Sequence, residues 1–346
     1  MHKDNFGNRF KGAVVGFVIG DSLGYPAAGI RKIDFLKLNS GLIKGFSENK
    51  FHPFFYKLKK GQFTDNTRLF VLTMESLINN NGFVQKDMLL RLTNWAKLCR
   101  DNPNFERWPG KTSLRASLNL LNGIDYPENG IKSTSSCASI YRTLPIGIFF
   151  CNHANDVIFK YSDLCASYTH NSPVSRGGSI FTAISISKIL NGNNLEKAFS
   201  SSFLAVAKYN SDECFLNLLE KIKWSLENYK KMKISKARRF LGTGSSILQT
   251  LPLSVFICLQ ASNFNNGILT AANSFREDLG KEKSRMSQIG WTEQLLECIG
   301  GNTDGIGTIC GCFLGGLYGL NKIPARYKKI ENYSKIIKMC SRYFYN

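Results

Sequence analysis

The sequence has only four histidines, and its ten cysteines form no CxxC pair. That spacing points away from zinc-finger scaffolds and disulfide frameworks, and it suits a reducing, cytoplasmic compartment. No uninterrupted apolar run reaches about 18 residues, so no membrane span is expected. "GAVVGFVIG", near the N-terminus, has the length of a signal-peptide core, but "GDSLGYP" follows at once and reads as part of the fold. Alternating strand patterns are almost absent, and no repeat of fixed period is visible. Acidic residues are also scarce, 25 against 45 Lys and Arg, which leaves a net charge of +20. Such an excess attracts acidic partners: phosphates, nucleic acid, acidic proteins or anionic membranes. The basic residues are spread along the chain, with clusters at "KLKK", "KKMKISKARR" and "ARYKK". No RRM, zinc-finger or helix-turn-helix signature stands beside them, so nucleic acid is not the expected partner.

What remains is helical. With 43% hydrophobic and 20% charged residues, the chain can bury a sizeable core and is not expected to be disordered. "RFKGAVVGFVIGDSLG" reads as a glycine-rich helix buried on several sides, and "TDNTRLFVLTMESLINN" as an amphipathic one capped by Thr64 or Asp65. Further helices of ordinary length follow between Val84 and Lys231. "GSSILQTLPLSVFICLQ" and "TDGIGTICGCFLGGLYGL" are very apolar and are expected at the centre. The expected class is all-α, one compact multi-helix domain over 1–346 with its core at about 11–324. Two loops, "RDNPNFERWPGKTS" and "SFREDLGKEKSRMSQIGWT", interrupt it without resembling linkers.

Several short segments place small and polar residues at helix ends. "FTDNT" (63–67) and "GGNTDGIGT" (300–308) each set an Asp beside a Thr before a helical stretch. Two helix N-termini facing one another would aim free N–H groups and carboxylates at one pocket. Hard cations want oxygen ligands and several carboxylates. Thr64, Asp65 and Asp304 are candidate ligands here, with Asn66 and Asn302 offering neutral oxygens. The competing reading is that these residues only cap helices. "STSSCAS" (133–139) is a small-residue loop whose amides could cradle phosphate. Cys137 could act as a nucleophile with His170 as base, but a small buried thiol is the commoner outcome.

Taken in order, "GDSLG", "TDNT", "SCASIYR", "YTH" and "GGNTDGIGTICGCFLGGLYGLNKIP" resemble the motif series of the ADP-ribosylglycohydrolase family. The resemblance runs from about Lys11 to Pro324. It implies an all-α fold and removal of ADP-ribose from modified proteins, typically with two Mg²⁺ or Mn²⁺ ions. Three details resemble the branch acting on ADP-ribosyl-arginine: "RWPGKTS" (107–113), "SRGGSIFTAI", and Ala28 where other branches carry an acid.

The departures are as informative. The family's second Asp in TDD is Asn66 here, the first Asp of its DxD pair is Asn302, and the following Thr or Ser is Gly305. Two formal charges are removed from the cluster, which should weaken a two-metal centre severely. The resemblance therefore implies hydrolysis of an ADP-ribosyl-arginine N-glycosidic bond with one Mg²⁺ or none. Asp65 or Asp304 would act as general base, and Thr64, Asp65 and Asp304 would be the residual metal ligands. Asn66, Ser136, Cys137, Ala138, His170 and Asn302 would contact the substrate. The alternative is a catalytically inactive member that binds ADP-ribose or a protein partner. The Lys- and Asn-rich composition and altered site would suit a bacterial effector delivered into a host cell.

Overall fold

A computed structural model describes residues 3–39, 41–52, 55–102, 107–276 and 300–344. Its helices are α1 (Lys3–Gly24), α2 (Lys32–Leu38), α3 (Asp65–Asn79), α4 (Gln85–Asp101), α5 (Lys111–Leu121), α6 (Ser139–Phe149), α7 (Asn155–Ser167) and α8 (Pro173–Leu190). The order continues with α9 (Leu195–Val206), α10 (Glu213–Asn228), α11 (Ile234–Leu241), α12 (Ile247–Gln260), α13 (Phe264–Ala272), α14 (Thr303–Tyr318) and α15 (Tyr333–Arg342). Among the described residues, extended pairing is confined to isolated bridges, Ile131 with His170 and Ser136 with Ser246. The all-α expectation holds. Most of the second polar loop, 277–292, and residues 103–106 of the first lie outside the described residues.

The centre is built on backbone contact. Gly12, Gly16, Gly20 and Gly24 recur every four residues along one face of α1 and meet Gly315, Gly311, Gly307 and Asp304 of α14, so the two helices run antiparallel. A Cβ at Gly16 would lie 2.0 Å from the Gly311 carbonyl oxygen, and one at Gly20 would lie 1.9 Å from that of Gly307. Neither helix can move away without losing this contact, and no side chain fits between them. The other faces of both helices carry buried apolar residues such as Phe17, Val18, Ile309 and Phe313, which explains why they read as apolar all round. Cys310 and Cys312 are buried there as core thiols.

Four helices escape the periodicity reading. α2, α11 and α13 have only 7, 8 and 9 residues, and α11 is hidden inside the basic run "KKMKISKARR". α15 extends the core beyond the expected limit at 324: Ile336, Met339 and Cys340, spaced for one helix face, are buried. The Phe10 ring of α1 stacks on Tyr343 just past its end at 4.5 Å.

Candidate active site

The glycine ladder brings the C-terminal end of α1 against the N-terminal end of α14. There Thr303 donates its hydroxyl to the Gly24 carbonyl at 2.7 Å, and the Cα of Asp304 sits where a Gly24 side chain would go. Asp21, one turn earlier on α1, is fully buried. Its carboxylate accepts from the Thr64 and Thr67 amides, each at 3.1 Å, and from their hydroxyls at 2.8 and 2.6 Å. One carboxylate thus docks the first turn of α3 onto α1. Burial without a cation partner pushes Asp21 above the usual carboxyl range, although those four donors pull the other way.

A cleft of about 540 Å³ opens where the N-termini of α3, α6, α12 and α14 converge. Of the residues singled out in the sequence, Asp65, Asn66, Ser136, Cys137, Ala138, Asn302 and Asp304 line it. Asp65 opens α3, and its Oδ2 accepts from the Gly110 amide at 2.9 Å. Three residues before Gly110, the Arg107 guanidinium grips Glu331 with bonds of 2.5 and 2.8 Å and donates to the Phe63 carbonyl at 3.0 Å. Asn66 reaches Asp304 directly, Nδ2 to Oδ2 at 3.0 Å. Burial, then the nearby Asp21 charge, pushes the Asp304 carboxyl up to about 6.

Thr64 caps α3: its hydroxyl donates to Asp21 and accepts from the Asn66 amide at 3.2 Å. It is fully buried, is not among the residues lining the cleft, and serves as the α3 cap. Asn302 turns the other way. Its Nδ2 donates to the Thr250 hydroxyl at 2.9 Å and to the Cys137 sulfur at 3.3 Å. Gly305 follows from this placement, because a Cβ there would lie 2.2 Å from Asn302 Nδ2 and 2.5 Å from the Tyr141 hydroxyl.

Two expectations need correction. The amides of Ser136, Cys137 and Ala138 are not a free cradle. The Ser136 and Ala138 amides donate within the loop, to Thr134 Oγ1 and Ser136 Oγ at 3.2 and 3.3 Å, and the Cys137 amide donates to the Ser245 carbonyl at 3.0 Å, where the loop pairs with the segment before α12. His170 does not reach the cleft. It is fully buried, its backbone is bridged to Ile131, and its Nδ1 faces the Thr169 hydroxyl at 2.7 Å. Cys137 is therefore without that base, and burial pushes its thiol up to about 11.

Sequence reasoning missed Asp21 as an anchor and several lining residues: Phe55, Lys111, Tyr141, Gln249 and Arg276. "GTGSS" before α12 carried the same small-residue signal as "STSSC", and its Gly244, Ser245 and Ser246 line the cleft beside that loop. Among the described residues, no three His, Cys, Asp or Glu side chains are grouped as metal ligands.

The ADP-ribosylglycohydrolase family model matches residues 2–345. The chain belongs to the ADP-ribosylglycohydrolase family. It is 24% identical over 345 residues to the ADP-ribosylarginine hydrolase Tri1 of Serratia proteamaculans, covering 98% of this chain and 79% of that one. Against the ADP-ribosylhydrolase ARH3 of Danio rerio it is 22% identical, covering 93% and 85%. An uncharacterized protein of Archaeoglobus fulgidus is 24% identical over 308 residues, covering 89% and 87%. A solved structure titled an ADP-ribosylglycohydrolase-related protein complex superposes with a TM-score of 0.72 at 19% identity, covering 99% of both chains, which supports the same fold. The family acts on ADP-ribosylated substrates. Among the described residues, no helix is long and apolar enough to cross a membrane.

Proposed function

We propose that this ADP-ribosylglycohydrolase cleaves the N-glycosidic bond between ribose and an arginine side chain on an ADP-ribosylated protein, with its carboxylates acting directly on the reactants. The observation that carries this reading is Asp304: a cleft carboxyl held near 6 and bonded to a neutral amide, Asn66, instead of facing a second acid. A group with that pKa is deprotonated at neutral pH yet basic enough to take a proton from water. The Tri1 relatives and Ala28, where other branches carry an acid, support arginine as the linked residue.

In this reading Asp304 removes a proton from a water molecule as its oxygen bonds to ribose C1″. The bond from C1″ to the guanidinium nitrogen breaks, and the proton passes from Asp304 to the departing nitrogen. The ring carbon gains positive charge as the bond lengthens, and the Asp65 carboxylate, in the same cleft, stabilises it. Lys111 and Arg276 add positive charge to the cleft, which suits a pyrophosphate. An anion at Ser136 and Ala138 must displace the hydroxyl bonds those amides already make.

The residues present do not fit the family's two-metal centre. The Thr64 hydroxyl is given to Asp21, Asp304 Oδ2 receives the Asn66 amide, and the Asn302 amide is turned onto Thr250 and Cys137. Asp65 and Asp304 are the two carboxylates left to hold a single Mg²⁺. The second reading, an inactive member that binds ADP-ribose or a protein partner, draws on the same three replacements, Asn66, Asn302 and Gly305.

One assay separates these. The protein is incubated with an arginine-ADP-ribosylated target in EDTA or in Mg²⁺, and released ADP-ribose is measured. Release in EDTA is the expected result. Release only with Mg²⁺ points to a single-ion site. No release in either condition, with ADP-ribose still bound, replaces the hydrolase with the inactive binder.

A further inference from the structure

Arg142, in the second turn of α6, is one of the largest side chains in the interior and is only 1% exposed. It lies one residue beyond Tyr141, which lines the cleft, but is not itself part of that lining. Its Nη2 donates to the Thr169 hydroxyl. Its Nε and Nη1 are buried with no hydrogen-bond partner among the described residues, and so is Nε2 of His170. The Cys165 thiol donates to the Arg142 carbonyl at 3.7 Å, and its sulfur also lies against the guanidinium as a weak, uncharged acceptor.

The proton positions follow from the chemistry of the donors. A guanidinium can only donate, so Thr169 Oγ1 accepts from Arg142. Its own hydrogen is then available to His170 Nδ1, 2.7 Å away, which makes Nδ1 the acceptor and places the imidazole proton on Nε2. All the unpartnered groups in this chain of three residues are therefore N–H donors. Because Nη2 carries a second hydrogen, one two-donor fork of the guanidinium stays open whichever one Thr169 occupies.

The charge is unbalanced as well. Burial lowers the Arg142 pKa, and among the described residues the ionisable groups that act on Arg142 or His170 are Cys165 and each other, with no carboxylate. Burial pushes Cys165 up to about 11, so it is a neutral thiol at physiological pH. The C-terminal end of α7 supplies at most about half a negative charge. A guanidinium in the interior without a counter-charge carries a large desolvation penalty.

We propose that Arg142, together with the Thr169–His170 pair, binds a buried monovalent anion of halide size, chloride being the available one, behind the wall of the cleft. A single negative charge cancels the excess, whereas a divalent oxyanion would reverse it. The anion accepts from the open fork of Arg142 and makes α6, which carries Tyr141 and follows Cys137 and Ala138, dependent on halide for its full stability.

Crystals of the full chain soaked in sodium bromide test this by anomalous scattering at the bromine edge. The expected result is a peak within hydrogen-bond reach of the Arg142 guanidinium. Absence of that peak overturns the site, whatever the melting data show. In solution, sodium chloride should raise the melting midpoint above that in sodium gluconate of equal ionic strength, and Arg142→Met should lose most of that difference. An undiminished chloride response in a folded Arg142→Met variant also overturns it. If that variant fails to fold, the bromide experiment decides alone.

Discussion

Asn66 and Asn302 are the same amide in the two motifs that frame the cleft, and they do different things. Asn66 points across the cleft and donates to Asp304 at 3.0 Å. A neutral donor thus stands where a second carboxylate would repel the first. Asn302 also lines the cleft but donates to Thr250 and Cys137 rather than to Asp304, and its side chain crowds the space a Cβ at 305 would take. One replacement puts a neutral donor on the candidate catalytic group, whose pKa is raised by burial and by Asp21. The other is a packing arrangement shared with its neighbours. Identical changes in sequence need not be halves of one functional change.

The largest effect should come from the group Asn66 addresses. Asp304→Asn should lower kcat by about 10²–10⁴-fold, measured as ADP-ribose release. The wild-type rate should rise with pH through about 6 as Asp304 loses its proton. Stability should move the other way. The folded carboxyl holds its proton up to about 6, against an ordinary value of 3.8, so its contribution falls as pH rises through that window. Above it the wild type carries a penalty of roughly 3 kcal/mol that the variant lacks. Urea unfolding at pH 5 and 7.5 should show the variant's advantage widening with pH, and an equal gap at both would refute the assignment.

Next comes the anchor beneath Asn66. Asp21→Ala leaves the Thr64 and Thr67 donors buried without an acceptor and should destabilise the protein by about 3 kcal/mol. A loss below about 1 kcal/mol in chemical unfolding would mean that α3 is held by its apolar face alone.

The two asparagines can then be compared directly. Asn66→Asp places a second carboxylate against Asp304, so the pair should titrate in two steps, one of them raised by about 1–3 units. That variant should also melt higher in Mg²⁺ than in EDTA. Asn302→Asp should cost only about 1 kcal/mol, through the donor lost to Thr250 and Cys137, and should show no Mg²⁺ response alone. Matching Mg²⁺ responses in the two single variants would erase the distinction drawn between them.

Much of the fold was legible in the sequence, because long amphipathic and very apolar segments announce helices through their period. The short α2, α11 and α13 were not, since fewer than ten residues give too little repetition to stand out. The candidate site was partly legible. The two Asp-bearing helix starts were visible as motifs, and the structure brings both to one cleft. Asp21 stands within "GDSLG", but its role as an anchor depends on four donors of Thr64 and Thr67, more than forty residues away. His170 looked like a site residue through the "YTH" motif, and packing put it in the interior instead.

The sequence by itself determined the helical class, the charge excess, and the identity of the carboxylates available for chemistry, all of which follow from residue type and local period. Tertiary structure alone decided which of those groups face one another. That depends on how closely α1 and α14 approach across their glycines, and on which way each side chain turns once neighbours from distant segments have filled the space around it.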